Sequence, residues 1–173
     1  MNILPLFKSI TVFVFDIDGV LTEGSIFVLD NGEQVRRMNI KDGYALQLAV
    51  KMGYKVLAIS GASSHAAALR LHKLGIGDVF MNVGDKKEKL NAYIKEYNLK
   101  WEEVLYMGDD IPDFGVMRQV GLSCAPADAV PEIKHIAQYI SPFKGGEGCV
   151  RDVIEKVLKL NGRWHVDTSV ASK

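Results

Sequence analysis

The residues of this chain that could do chemistry fall into four short groups. The first is Asp16-Ile17-Asp18-Gly19-Val20-Leu21-Thr22 and the second is Ser60-Gly61. The third is Gly84-Asp85-Lys86, and the fourth is Gly108-Asp109-Asp110 with Asp113 close behind. Brought together, Asp16, Asp18, Asp109, Asp110 and Asp113 would repel one another, and some would retain a proton unless a cation neutralised them. Oxygen ligands with bound water suit Mg²⁺, and a phosphate would naturally supply the missing ligands. A phosphoryl group also needs donors, which the Ser60 hydroxyl, backbone N–H groups and the Lys86 ammonium offer. Taken singly, each group is weak. A DxD is usually a solvated turn, Ser-Gly is commonplace, a lysine opening a helix usually faces water, and GDDxxD also reads as a capped loop before a helix. Their weight lies in occurring together and in order.

Each group follows a stretch that reads as a strand. Ile10–Phe15 is a continuous apolar, β-rich run, as expected of a strand buried on both faces. Lys55–Ile59, Val79–Asn82 and Val104–Met107 read as the strands before the other three groups, and Leu122–Cys124 as a fifth. Between them the pattern predicts helices over Asp42–Met52, capped by Asp42 and stopped by Gly53, and from Ser63 as cap to Leu74. Further helices are expected over Asp85–Tyr97, Ile111–Gln119, Val130–Ala137 and Cys149–Leu160. Ser25–Leu29 and Gln34–Met38 flank Asn31-Gly32, a turn pair that tolerates positive φ, and predict a β-hairpin over 25–38. Strand and helix alternate from residue 42 onward. The fold class is therefore α/β, a Rossmann-like three-layer fold with a mainly parallel central sheet. In such sheets ligands bind beyond the carboxyl ends of the strands, where the four groups stand.

Size and charge narrow the functions. The 173 residues, 48% hydrophobic and 24% charged, suit one globular domain of ordinary composition. We expect that domain over 1–160, with no cap domain, and a polar, mobile tail over 161–173. Lys plus Arg and Asp plus Glu each number 21, so no basic footprint points to nucleic acid or an anionic membrane. Cys124 and Cys149 lack any metal-ligand spacing and read as thiols in a reducing cytosol. The apolar start is broken by Pro5 and Lys8, so no signal peptide or membrane span is expected, and the cytoplasm is the expected location.

The four groups resemble the motifs of the haloacid dehalogenase superfamily of phosphotransferases, over about Ile10 to Asp113. The resemblance implies that Asp16 is a nucleophile forming an aspartyl-phosphate. Asp18 would protonate the leaving alcohol and then activate water. It implies Mg²⁺ held by Asp16, the Asp18 backbone carbonyl and Asp109, with Asp110 and Asp113 in support, and phosphate held by Ser60, Gly61 and Lys86. Over nearly the whole folded chain the sequence is similar to the capless 3-deoxy-D-manno-octulosonate 8-phosphate phosphatases of lipopolysaccharide synthesis. The hairpin, Asn39-Ile40-Lys41-Asp42-Gly43-Tyr44 and Gly145-Gly146-Glu147-Gly148 carry that similarity. It implies a homotetramer joined through hairpins, with loop and tail lining an active site. Lys41, Asp42, Arg70, Lys73, Gly145 and Gly146 are then candidates to meet a sugar-acid phosphate. Ala62 and Lys41 stand where that family commonly has Arg, so a nine-carbon 2-keto-3-deoxy acid 9-phosphate remains an alternative substrate. A catalytically silent phospho-ligand module and a phosphomutase are the competing classes.

The remaining polar residues read blandly. His65, His72, His135 and His165 are expected at the surface with no catalytic role, Trp101 to pack a loop, and Arg151 to be a helix-surface charge.

Overall fold

A computed structural model describes residues 2–171. Six strands form one sheet, in the order β5-β4-β1-β6-β7-β8, and every neighbouring pair is parallel. They are β1 (Val12–Phe15), β4 (Lys55–Ile59), β5 (Asp78–Phe80), β6 (Val104–Met107), β7 (Leu122–Ala125) and β8 (Tyr139–Ile140). The strands β2 (Phe27–Val28) and β3 (Gln34–Val35) make the antiparallel hairpin apart from it.

The sheet is buried on both faces, which is why its strands read as unbroken apolar runs. Successive β1 side chains alternate. Phe13 and Phe15 pack under α1 (Leu4–Ser9), α2 (Ile40–Lys51), α3 (His65–Lys73) and α7 (Cys149–Leu160). Val12 and Val14 face α4 (Lys86–Glu96), α5 (Phe114–Met117) and α6 (Pro131–Ile136). The α/β, three-layer expectation holds, and the hairpin lies where it was expected.

Local details differ from the sequence reading for identifiable reasons. Helix α2 starts earlier than expected, because Asn39, not Asp42, caps it by accepting from the Lys41 and Asp42 amides. Ser64, not Ser63, caps α3 through the Ala67 amide. The helix expected over 111–119 is a single 3₁₀ turn, Ile111–Asp113, running into the short α5. Helix α1 and strand β8 were not foreseen.

The expectation of a mobile tail is also corrected for its described part. Lys51 pairs with Asp167 at 2.6 Å, Gln47 donates to the Ala171 carbonyl, and the Tyr44 hydroxyl accepts from the Asp167 amide. The Arg151 guanidinium lies over the rings of both Tyr44 and Trp164, so it clamps the tail to α2 rather than serving as a plain surface charge. Ser172 and Lys173 lie outside the described residues. Among the described residues no helix is long and apolar enough to cross a membrane.

Candidate active site

Strand β1 lies at the centre of the sheet, and chain order departs from it in both directions. A crevice therefore opens at its carboxyl end. Asp16 is the first residue past β1, Ser60 the first past β4, and Gly108-Asp109 follow β6 directly. Lys86 enters from the first turn of α4, which Asp85 caps through the Glu88 amide. A cavity of about 280 Å³ is lined by Asp16, Asp18, Ser60, Gly61, Lys86, Asp109 and Asp110, with Ala62 at its wall.

The buried charges form one connected set. Lys86 Nζ lies 2.9 Å from Asp16 Oδ1 and 2.7 Å from Asp113 Oδ1. Asp113 is fully buried; its Oδ1 also accepts from the Tyr106 hydroxyl at 2.7 Å, and its Oδ2 from the Asp109 and Asp110 amides. Asp113 thus holds the lysine and the Asp109 loop in place. Asp16 Oδ1 accepts in addition from the Ile17 amide at 2.7 Å. Asp110 is more peripheral and caps the 3₁₀ turn through the Ile111 amide.

Burial, with the Asp113 carboxylate adding to it, pushes Asp16 up to about 8 against the pull of Lys86. Burial and the Asp113 and Asp110 charges push Asp109 up to about 7. Burial works against the charge of Lys86, yet Asp113 and Asp16 raise it overall. Carboxyl oxygens of Asp16, Asp109 and Asp113 lie within 4.8 Å of one another, and Asp109 Oδ1 is buried with no hydrogen-bond partner. An orphaned carboxylate oxygen among mutually repelling carboxylates fits a hard divalent cation. The cluster can hold a metal.

The loop between Asp16 and Thr22 is shaped by packing. Gly19 has φ +87°, and a Cβ there would lie 2.0 Å from Asp109 Oδ2. The Thr22 hydroxyl accepts from the Gly19 and Gly24 amides and closes the loop. Gly145 and Gly146 press against this loop from behind. A Cβ on Gly145 would lie 1.9 Å from the Gly19 carbonyl oxygen, and the Gly146 amide donates to Val20 O.

The remaining sequence candidates stand outside this chain's own cavity. Lys41 lies on a groove with Arg151 and Glu155, and Lys73 is exposed in the last turn of α3. Arg70 borders a groove between α3 and the hairpin. Asp42 is buried. Its Oδ1 accepts from the Arg151 amide at 2.8 Å and so caps α7, whose own N-cap residue is Gly148. Gly145 and Gly146 brace the catalytic loop.

Sequence reasoning missed two residues. Tyr106 is buried beside Asp113, and the lone hydroxyl in the apolar strand Val104–Met107 was its signal. Arg36, the first residue past β3, reaches Asp18, and its only signal was the charged pair Arg36-Arg37 at the end of the hairpin. The histidines, Trp101 and the two free, buried cysteines take no part in the cavity.

A parallel sheet with a carboxylate at its central strand end, a hydroxyl, a buried lysine and a second acidic loop beyond the neighbouring strands defines a phosphoryl-transferring hydrolase of the haloacid dehalogenase type. The comparisons agree. Residues 72–153 match the model of the haloacid dehalogenase-like hydrolases. The chain is 32% identical over 162 residues to 3-deoxy-D-manno-octulosonate 8-phosphate phosphatase KdsC of Escherichia coli, covering 94% of this chain and 86% of that one. The crystal structure of the phosphatase of that name from Yersinia pestis superposes with a TM-score of 0.91 at 32% identity, over 93% of this chain and 87% of that chain. The Moraxella catarrhalis phosphatase, solved with magnesium, phosphate and KDO, gives 0.89 at 30% identity, over 91% of both chains. The chain belongs to the 3-deoxy-D-manno-octulosonate 8-phosphate phosphatase family of haloacid dehalogenase-like hydrolases.

Proposed function

We propose that the protein is a Mg²⁺-dependent phosphatase that hydrolyses 3-deoxy-D-manno-octulosonate 8-phosphate to the free sugar acid and phosphate, in the cytoplasm and in the service of lipopolysaccharide synthesis. The observation that carries this reading is the Lys86 ammonium shared between Asp16 and Asp113 at the head of the cavity. Asp16 attacks phosphorus, forming an O–P bond as the bond from phosphorus to the sugar oxygen breaks. Asp18 gives that oxygen its proton, since an alkoxide is a poor leaving group; such help is worth about 10²–10⁴-fold. Asp18 then takes a proton from water as the water oxygen attacks the aspartyl-phosphate, which frees phosphate and restores Asp16. Ser60, the Gly61 amide and Lys86 hold the phosphoryl oxygens.

Asp16, Asp109 and the Asp18 carbonyl would hold Mg²⁺, which when bound offsets the repulsion between carboxylate and phosphate dianion. The shifts of Asp16 to about 8 and Asp109 to about 7 support that need, because without a cation both would be partly protonated near neutrality.

The chain works as a homotetramer in this reading. Phe27 and Val28 on the hairpin are 61% and 69% exposed, and Ile26, Leu29 and Val35 lie bare beside them. An apolar ribbon of this kind fits a second copy of the chain. Because Lys41, Arg70 and Lys73 do not line their own cavity, their contact with a substrate carboxylate would be made between copies. The domain runs over 1–160, with the segment after α7 as an accessory. Ala62, at the cavity wall, favours one second reading, a nine-carbon sugar-acid 9-phosphate.

The test is kcat/KM for the eight- and nine-carbon esters with and without chelator. The reading expects preference for the eight-carbon ester and loss of turnover when the metal is removed. Preference for the nine-carbon ester selects the second reading, and no turnover of any phosphate ester sinks both.

A further inference from the structure

Asp18 does not stand free in the cavity. The Arg36 guanidinium grips it from the hairpin, with Nε 2.5 Å from Oδ1 and Nη2 3.1 Å from Oδ2. The Arg36 side chain is 3% exposed while that of Asp18 remains 29% open toward the cavity. Two parallel bonds between a planar fork and a carboxylate fix orientation as well as place. The hairpin base that carries Arg36 is itself tied to the catalytic loop. Thr22 bridges Met38, and Arg37 pairs with Glu23. Arg36 also donates to the Gln34 carbonyl, which fastens the guanidinium to its own strand. Three links thus join a segment remote from the sheet to the loop holding the acid.

We propose that Arg36 is the positioning residue for Asp18: its fork aims the carboxyl group at the leaving oxygen, so that the placement of the hairpin sets the proton-transfer geometry. This rests on the acid/base reading of Asp18 given above. Each carboxyl oxygen keeps a lone pair outside the fork, and the longer arm, from Nη2 to Oδ2, leaves Oδ2 the freer of the two to carry the transferred proton. Arg36 touches no reacting atom and works only through Asp18.

Leaving-group chemistry separates this role from a structural one. A sugar alkoxide needs a proton as it departs; a nitrophenolate does not. The experiment measures kcat and KM for Arg36→Gln, Arg36→Lys and Asp18→Asn with the sugar-acid phosphate and with p-nitrophenyl phosphate, in Mg²⁺. For Arg36→Gln, kcat/KM on the sugar ester is expected to fall about 10- to 100-fold, the scale of losing about 1 Å of alignment, mainly through kcat. On the aryl ester kcat/KM, which spans the steps up to phenol release and leaves out the later water attack that Asp18 also serves, should fall less than about threefold, and that retained value reports that the variant is folded. Arg36→Lys should recover part of the loss. Equal losses of kcat/KM on both esters, no loss on either, or a rise in KM with kcat unchanged would overturn the proposal. Asp18→Asn is the control on the reading beneath it. If it spares kcat/KM on the aryl ester while Arg36→Gln does not discriminate, the positioning role alone fails. If Asp18→Asn loses kcat/KM on both esters alike, a quantity blind to the later water attack that Asp18 also serves, the acid role of Asp18 fails and takes the proposal with it.

Discussion

Asp113 is where the site's donors converge, so replacing it with asparagine is an incisive perturbation of the interior. Lys86 and the Tyr106 hydroxyl reach Oδ1, each at 2.7 Å, while the Asp109 and Asp110 amides reach Oδ2 at 3.0 and 3.4 Å. Asparagine has one acceptor oxygen in place of two. Whichever way its amide lies, two of these donors face an NH₂ group. Lys86 also loses one of its two carboxylates and is left with Asp16 at 2.9 Å. Removing one partner of a buried ion pair costs about 3–5 kcal/mol, and the surviving Asp16 contact places the loss at the lower end. About 3 kcal/mol corresponds to a fall in Tm of about 6–12 °C for a chain of this size. The assay is thermal and urea unfolding at pH 7 in saturating Mg²⁺, so that relief of repulsion among Asp113, Asp16 and Asp109 does not mask the loss. The comparison is Asp110→Asn, which keeps an acceptor for the exposed Ile111 amide and should cost under about 1 kcal/mol. Equal stability of the two variants would refute the reasoning.

Burial raises Asp42 from 3.8 to about 6 even though the Arg151 and Gly148 amides oppose it. The folded state therefore binds its proton more tightly than the unfolded one, and the carboxylate destabilises progressively as pH rises from about 4 to 6, by about 3 kcal/mol in full. Asp42→Asn should match wild type near pH 4 and gain stability relative to it up to pH 7; urea midpoints across that range with no growing difference would count against this. Gly145→Ala forces a Cβ toward the Gly19 carbonyl 1.9 Å away, which should cost about 1–3 kcal/mol or displace the catalytic loop and cut kcat/KM tenfold or more, roughly. A fully active, fully stable Gly145→Ala would show that the two loops do not meet this closely. Phe27→Glu places a charge on the exposed hairpin face and should shrink the assembly seen by light scattering, each buried Phe being worth about 1.5–3 kcal/mol. An unchanged mass would show that this ribbon is not the interface.

The sequence was most legible where one signal acted alone. Strands β4 and β6 and helix α7 begin and end where their apolar runs and flanking residues placed them. The order of Asp16, Ser60, Lys86 and Asp109 at strand ends was equally readable, because parallel α/β topology turns chain order into spatial order. The failures came where tertiary packing chose among local options. Asn39 and Asp42 could each have capped α2, and Asp42 was instead drawn to α7, more than a hundred residues away in sequence. The short α1, with Pro5 in its first turn where proline is tolerated, had no local signal strong enough to predict it. The polar segment after α7 has no periodicity of its own and is ordered by Lys51, Tyr44 and Arg151. Arg36 and Tyr106 left only faint local signals and were missed as site residues, because their partners come from turns that no local pattern links to them.

Everything proposed for the site depends on phosphorylation of Asp16 during turnover. The direct measurement is rapid acid quench of the Mg²⁺-loaded enzyme mixed with the eight-carbon sugar-acid phosphate, followed by peptide mass spectrometry. The expected result is one phosphoryl group on the peptide containing Asp16, removable by hydroxylamine as an acyl phosphate should be, and neither adduct nor turnover in Asp16→Asn. Normal turnover with no phosphorylated peptide, or with Asp16→Asn still active, would contradict it.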